Sequence, residues 1–180
     1  MAAFDEHLAD HQRELRAHGY RLTGNVADAD DLVVVGCDSM LEIDGQILGK
    51  PTDADDAVAR WHAMRGRVGV LHTGHWVMDE RETSADAPAT GRLGAGHGAV
   101  LGATSSTVVH FADLSDAEIA AYVATGEPLA VAGAFTIDGL GGPFVERIEG
   151  DHHGVVGISL PLLRSLLAEI DVAIPDLWTR

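Results

Sequence analysis

The chain has 180 residues, 46% of them apolar and 22% charged, and a formal net charge of −16. That length fits one domain with a sizeable core, and so acidic a surface argues against polynucleotides and anionic membranes as partners. The lone cysteine, Cys37, excludes an internal disulfide. The start of the sequence lacks an apolar signal core, and no stretch approaches the length of a membrane span. The expected location is the cytoplasm.

Residues 3–18 are predicted to form a helix, with Phe4, Leu8, His11 and Leu15 at helical spacing and Gly19 just beyond. A loop follows, ending in Asp28, Asp30 and Asp31. Leu32-Val33-Val34-Val35 has the apolar character of a buried strand. Met40–Ile43 and Gln46–Leu48 flank Asp44-Gly45, the pattern of a tight hairpin. Thr52 is placed as the N-cap of a helix whose inner face is Ala57, Val58, Trp61 and Met64 and which ends at Gly66. Val68–Met78 is predicted as a strand, residues 79–103 as a glycine-rich surface loop, and Ser106–Phe111 as a strand.

Ser115-Asp116-Ala117-Glu118 is a capping box opening a helix that buries Ile119, Tyr122 and Val123 and stops at Gly126 and Pro128. Ala132–Ile137 and Val155–Ile158 are strand candidates on either side of Gly139-Leu140-Gly141-Gly142. Pro161 opens a last helix with Leu162, Leu163, Leu166 and Leu167 inward. The alternation gives an α/β class with a mixed sheet, in a single domain over 1–180.

Four segments could carry chemistry. In Val35-Gly36-Cys37-Asp38-Ser39 an apolar strand is expected to end just before Asp38. A carboxylate there could take a proton from water or hold a divalent metal, or it could simply cap a turn. In Leu48-Gly49-Lys50-Pro51, Lys50 would project from a stiff turn toward a phosphate. Eleven of the 12 basic residues are arginine and Lys50 is the one lysine, so a compact ammonium is placed where a broad guanidinium was not. In Ile137-Asp138-Gly139-Leu140-Gly141-Gly142, glycines allow close backbone approach and Asp138 is a candidate ligand contact, although a plain glycine turn has the same composition. In Glu149-Gly150-Asp151-His152-His153, adjacent histidines point opposite ways on an extended segment, which disfavours a shared zinc.

Together these segments resemble the Maf family, also called septum formation inhibitor Maf, over roughly residues 30–170. Gly36-Cys37-Asp38-Ser39 looks like the family's Gly-Ala-Asp-Thr, and the stretch from Asp44-Gly45 to Leu48-Gly49-Lys50-Pro51 matches its hairpin and Leu-Gly-Lys-Pro turn. Leu114–Gly126, Ala132-Gly133, Gly139–Phe144, Ile148–Asp151 and Val155-Val156-Gly157 continue the pattern in order. The resemblance implies a Maf/ITPase-like mixed central sheet flanked by helices. It also implies hydrolysis of nucleoside triphosphates to monophosphate and pyrophosphate with a divalent cation, Mg or Mn, as house-cleaning of non-standard nucleotides. By the same comparison Asp38 is the general base and a possible metal ligand, Lys50 binds phosphate, Ser39 and Asp138 contact substrate, and a homodimer is plausible.

The departures are specific. No Ser-x-Ser-Pro-Arg-Arg phosphate loop or strand leading into it is present, so the chain is expected to be shortened relative to the family. Ser39 replaces a threonine, Asp138 stands where many members carry glutamine, Ala130-Val131 replaces an Asp-Lys pair, and Gly69 replaces a frequent histidine. They leave a second reading beside the enzyme: a catalytically impaired protein that binds nucleotide or a partner in division control.

Overall fold

A computed structural model describes residues 20–23, 32–79 and 99–178. The predicted helix over 3–18 and residues 80–98 of the predicted loop lie outside the described residues. Six strands are present: β1 (Tyr20–Thr23), β2 (Leu32–Ile43), β3 (Gln46–Leu48), β4 (Val68–Asp79), β5 (Ala99–Phe111) and β6 (Val145–Glu149). They form one sheet in the order β1-β2-β4-β5-β6, with β3 paired to β2. The β1–β2, β2–β3 and β5–β6 pairs are antiparallel. With helices α1 (Ala54–Met64), α2 (Asp116–Ala124), α3 (His152–Val156) and α4 (Leu160–Glu169), this is the expected α/β class of sheet and flanking helices.

Two compact units divide the chain. One comprises Met1–Asp38, Gly74–Thr104 and Leu160–Arg180, the other Ser39–Thr73 and Ser105–Ser159. The division falls within β2, β4 and β5. Among the described residues the first unit buries Val33, Val35, Val77 and the α4 side chains Leu163, Leu166 and Leu167.

The second unit is built around Trp61, whose side chain is fully buried. Its indole meets the rings of Phe111, Tyr122 and Phe144 edge-on at 5.8, 5.7 and 5.9 Å. Phe135 closes on Phe111 at 5.0 Å. Edge-to-face contact aims the positive rim of one ring at the negative face of another. The indole nitrogen donates to the Ala134 carbonyl at 2.8 Å, so its polar atom is satisfied inside the core.

Local signals held where the chemistry is local. Asp44 (φ 50°) and Gly45 (φ 75°) both take left-handed backbone, as a two-residue hairpin turn requires. Ser115 caps α2 reciprocally: the Glu118 amide donates to its hydroxyl and its own amide donates to the Glu118 carboxylate.

Several boundaries differ from expectation. The chain does not turn at Gly36. Val33, Val35, Leu41 and Ile43 keep one period of two through residues 36–40, so β2 is continuous. The N-cap of α1 is Asp53 rather than Thr52, because the Asp53 carboxylate takes the Asp56 amide at 2.9 Å while Thr52 donates to Asp56. Residues 99–103 begin β5 instead of ending a loop, and Tyr20–Thr23 is strand instead of loop. Neither 132–137 nor 155–158 is a strand. Gly133 and Ala134 take left-handed backbone that breaks the first, and Asp151 caps the helical turn of α3 over the second. The strand in this region is β6, which has exposed Glu146, Arg147 and Glu149 among its five residues and so little apolar signature.

Replacing Trp61 by Phe keeps most of the ring packing but leaves the Ala134 carbonyl without its donor. A loss of about 1–3 kcal/mol is expected, and Trp61→Ala should cost about 3–5 kcal/mol. Urea denaturation of both variants checks the order, and a Trp61→Phe variant as stable as the native chain would show that the hydrogen bond contributes nothing.

Candidate functional site

Asp38 lies inside β2, half-buried, and not beyond a strand end as the sequence suggested. Beside it, burial first and the Asp38 charge second push the Cys37 thiol up to about 11. At neutral pH the thiolate is negligible, so Cys37 is no nucleophile. Asp38 belongs to the first unit, whereas Ser39, Lys50 and Asp138 belong to the second.

Ser39 joins a chain of hydroxyls. Thr73, fully buried, donates to the Gly154 carbonyl at 2.8 Å. With its one proton so committed, Thr73 accepts the Ser39 hydroxyl, 2.8 Å away. The orientation of Ser39 is therefore set by the backbone of α3, which in turn is tied down by Asp151. The Asp151 amide donates to the Thr107 hydroxyl at 3.0 Å, and its carboxylate caps the His153 and Gly154 amides. Burial pushes the Asp151 carboxyl up, but hydrogen bonds from Ser159, His153 and Gly154 outweigh it and hold the group below its ordinary value. Asp151 is thus a structural cap.

Lys50 is exposed on the turn between β3 and α1. The turn is pinned on both sides. The Gly49 carbonyl accepts the Arg60 guanidinium at 2.7 Å and the Gly133 amide at 3.0 Å. Arg60 also reaches the Lys50 carbonyl at 3.3 Å and pairs with Asp56 at 2.8 Å. Pro51 is buried. The start of α1 offers little to an anion, because Asp53 caps it and Asp55 and Asp56 occupy its first turn. Any attraction of this turn for an anion would come from the Lys50 ammonium itself.

Asp138 is exposed beside the glycine-rich loop, and the loop's organiser is a residue that the sequence did not flag. Glu127 accepts from the Leu140 and Gly141 amides, each at 3.0 Å, from the Tyr122 hydroxyl at 3.1 Å and from the Thr136 hydroxyl. The glycines let the loop close on this carboxylate. A Cβ on Gly139 would lie 2.7 Å from Glu127 Oε1, and one on Gly141 would lie 2.4 Å from the Tyr122 hydroxyl. The amides that a phosphate cradle would use are thereby committed to Glu127. Its partners stand up to 14 residues downstream, beyond any helical or strand period. The clustered glycines were the one available hint that something approaches closely.

Two further histidines pair with acids. His72 bridges Glu42 and Ser106 at 3.0 and 2.8 Å, and His110 contacts Glu149 at 2.9 Å. Among the described residues no three His, Cys, Asp or Glu side chains gather so as to hold a metal ion by themselves.

Residues 2–170 match the family of Maf-like proteins, and the chain belongs to it. It is 62% identical over 148 residues to a nucleoside triphosphate pyrophosphatase of Salinispora tropica, a stretch covering 82% of this chain and 59% of that protein. A protein of the same name from Streptomyces coelicolor is 56% identical over 146 residues, 81% of this chain and 64% of its own length. One from Rhodococcus jostii is 55% identical over 151 residues, again 82% and 64%. The chain thus spans about three fifths of the length of these relatives.

Glu127 gives the loop a pH signature. The Thr136 hydroxyl and the Leu140 amide are the chief groups lowering its carboxyl, from an ordinary 4.5 to about 2. Between those values the unfolded chain binds a proton that the folded chain does not, so the stabilisation is complete above pH 4.5 and fades as pH falls toward 2. The stability gap between the native chain and Glu127→Gln, from urea denaturation at about pH 6 and about pH 3, is expected to narrow at the lower pH. A gap that stays constant would remove the assigned depression.

Proposed function

We propose that this chain hydrolyses nucleoside triphosphates to nucleoside monophosphate and pyrophosphate. The observation that carries the reading is the family match over residues 2–170, to relatives bearing that activity in their names, with Asp38 and Lys50 both in place. The pinned turn under Lys50 supports it, since transition-state stabilisation needs a charge whose position is already fixed.

In this reading Asp38 takes a proton from water as its oxygen bonds to the α-phosphorus. The bond from that phosphorus to the bridging oxygen breaks, and pyrophosphate leaves. Lys50 stabilises charge gathering on the phosphate oxygens, and Ser39 and Asp138 contact the nucleotide. A divalent cation, Mg or Mn, fits the donors present if it travels on the substrate, because magnesium is commonly held by one or two carboxylates together with phosphates; Asp38 is the candidate carboxylate. When bound, the cation neutralises phosphate charge and polarises the phosphoryl oxygens. Non-standard nucleotides are the proposed substrates, the cytoplasm is the proposed setting, and a homodimer is the proposed assembly. No helix among the described residues is long and apolar enough to cross a membrane.

Pyrophosphate release from a panel of canonical and modified nucleoside triphosphates tests the reading. Asp38→Asn is expected to lower kcat by about 10²–10⁴-fold while nucleotide binding persists. Binding without release in the native chain would favour the impaired, binding-only protein instead. Lys50→Ala is expected to lower kcat/KM by about 10²–10³-fold, and Lys50→Arg should recover only part of it, because a planar fork does not superpose on a compact ammonium. Full recovery by arginine would mean that charge alone matters at that turn.

A further inference from the structure

We propose that Glu127 is a positioning residue for substrate selection: it holds residues 136–142 in one conformation so that Asp138 and Leu140, on either side of Gly139, are presented together to the nucleotide. This rests on the function proposed above.

Four donors converge on the one carboxylate, two of them backbone amides of the loop. A carboxylate accepting several hydrogen bonds is a strong anchor, because each bond is charge-assisted. Tyr122, its neighbour, has its hydroxyl pushed up to about 12, chiefly by burial, so it stays a donor at any working pH. The Thr136 amide donates to the same hydroxyl at 3.3 Å, which ties the start of the loop to the group that holds its end.

The outward side chains contrast with this anchored backbone. Leu140 is 60% exposed although apolar, and Asp138 is exposed and charged. Ordering a loop costs conformational entropy. Anchoring it beforehand removes that cost from ligand binding. A fixed apolar side chain suits the face of a base, and a fixed carboxylate suits N–H donors on its edge. The selected class is therefore nucleotides whose base presents an N–H donor on the edge that meets the Asp138 carboxylate.

Glu127→Gln tests the proposal, because an amide keeps one acceptor oxygen but turns an N–H₂ group toward the loop amides. Amide exchange is followed at Leu140 and Gly141, with and without an α,β-methylene nucleoside triphosphate that cannot be cleaved at that bond. The expected result is exchange at these amides faster by at least about tenfold in the variant, protection of the loop by the analogue in the native chain, and loss of discrimination among bases. In steady state the variant should raise KM for the preferred nucleotide several-fold with kcat within about twofold, the signature of lost binding rather than lost chemistry. Glu127→Asp should recover part of the discrimination.

Unchanged exchange in Glu127→Gln would overturn the anchor. Faster exchange with unchanged base preference, or no protection by the analogue, would overturn the role in selection. A native chain that shows analogue protection but no hydrolysis defeats the proposed activity and leaves the anchor and its selectivity supported.

Discussion

The hydrogen bond from the Trp61 indole to the Ala134 carbonyl couples the core of the second unit to its exposed turns. Ala134 stands at φ 58°, a conformation that costs an L-residue with a Cβ roughly 1–2 kcal/mol. Gly133 before it is at φ 70°, and a Cβ there would come within 2.8 Å of Leu41. The backbone can take this sharp path only because a buried donor waits at its end and a glycine starts it. The same path aims the Gly133 amide at the Gly49 carbonyl, one residue before Lys50. Aromatic packing around Trp61 thus sets, through two hydrogen bonds, the backbone from which the lysine projects.

The second unit fixes its other exposed loop in a different way. Residues 136–142 have little apolar material to bury, since Asp138, Gly139 and Leu140 are all exposed. A charge replaces the core: Glu127 collects the loop's donors and the glycines allow the approach. The two devices differ in what disturbs them. The turn under Lys50 is held both from the core, through the Gly133 amide, and by Arg60, whereas the 136–142 loop depends on one carboxylate outside the core.

Legibility in the sequence followed the range of the interaction. The Asp44-Gly45 hairpin and the Ser115–Glu118 capping box were readable because their partners lie within a few residues, and the buried faces of α1, α2 and α4 because their apolar side chains recur at helical spacing. Lys50 was readable from composition, as the one lysine, and from the proline that follows it. The continuity of β2 through Asp38 was not, because Gly36 looks like a stop and the sheet partners that override it are distant in sequence. Val155-Val156 looked like strand for the same reason: the Asp151 cap and the Thr107 contact that hold α3 lie partly 44 residues away. Glu127 escaped because a carboxylate after a helix normally faces solvent, and only the folded loop reveals four donors around it.

Under the proposed function a chain of net charge −16 holds a polyanion, and its attraction must then be local. Screening helps, since beyond about 8 Å at physiological ionic strength the distant carboxylates count for little. The near ones remain, and α1 places Asp53, Asp55 and Asp56 within six residues of Lys50. Arg60 answers this directly. Its guanidinium takes the Asp56 carboxylate at 2.8 Å and in the same geometry grips the carbonyls of Gly49 and Lys50. One planar fork neutralises one of these competing anions and stiffens the turn, which a lysine at position 60 could not do with a single point of charge. The division of labour between the two cations follows: arginine where several acceptors must be held at once, and the one lysine where a lone, compact charge faces outward.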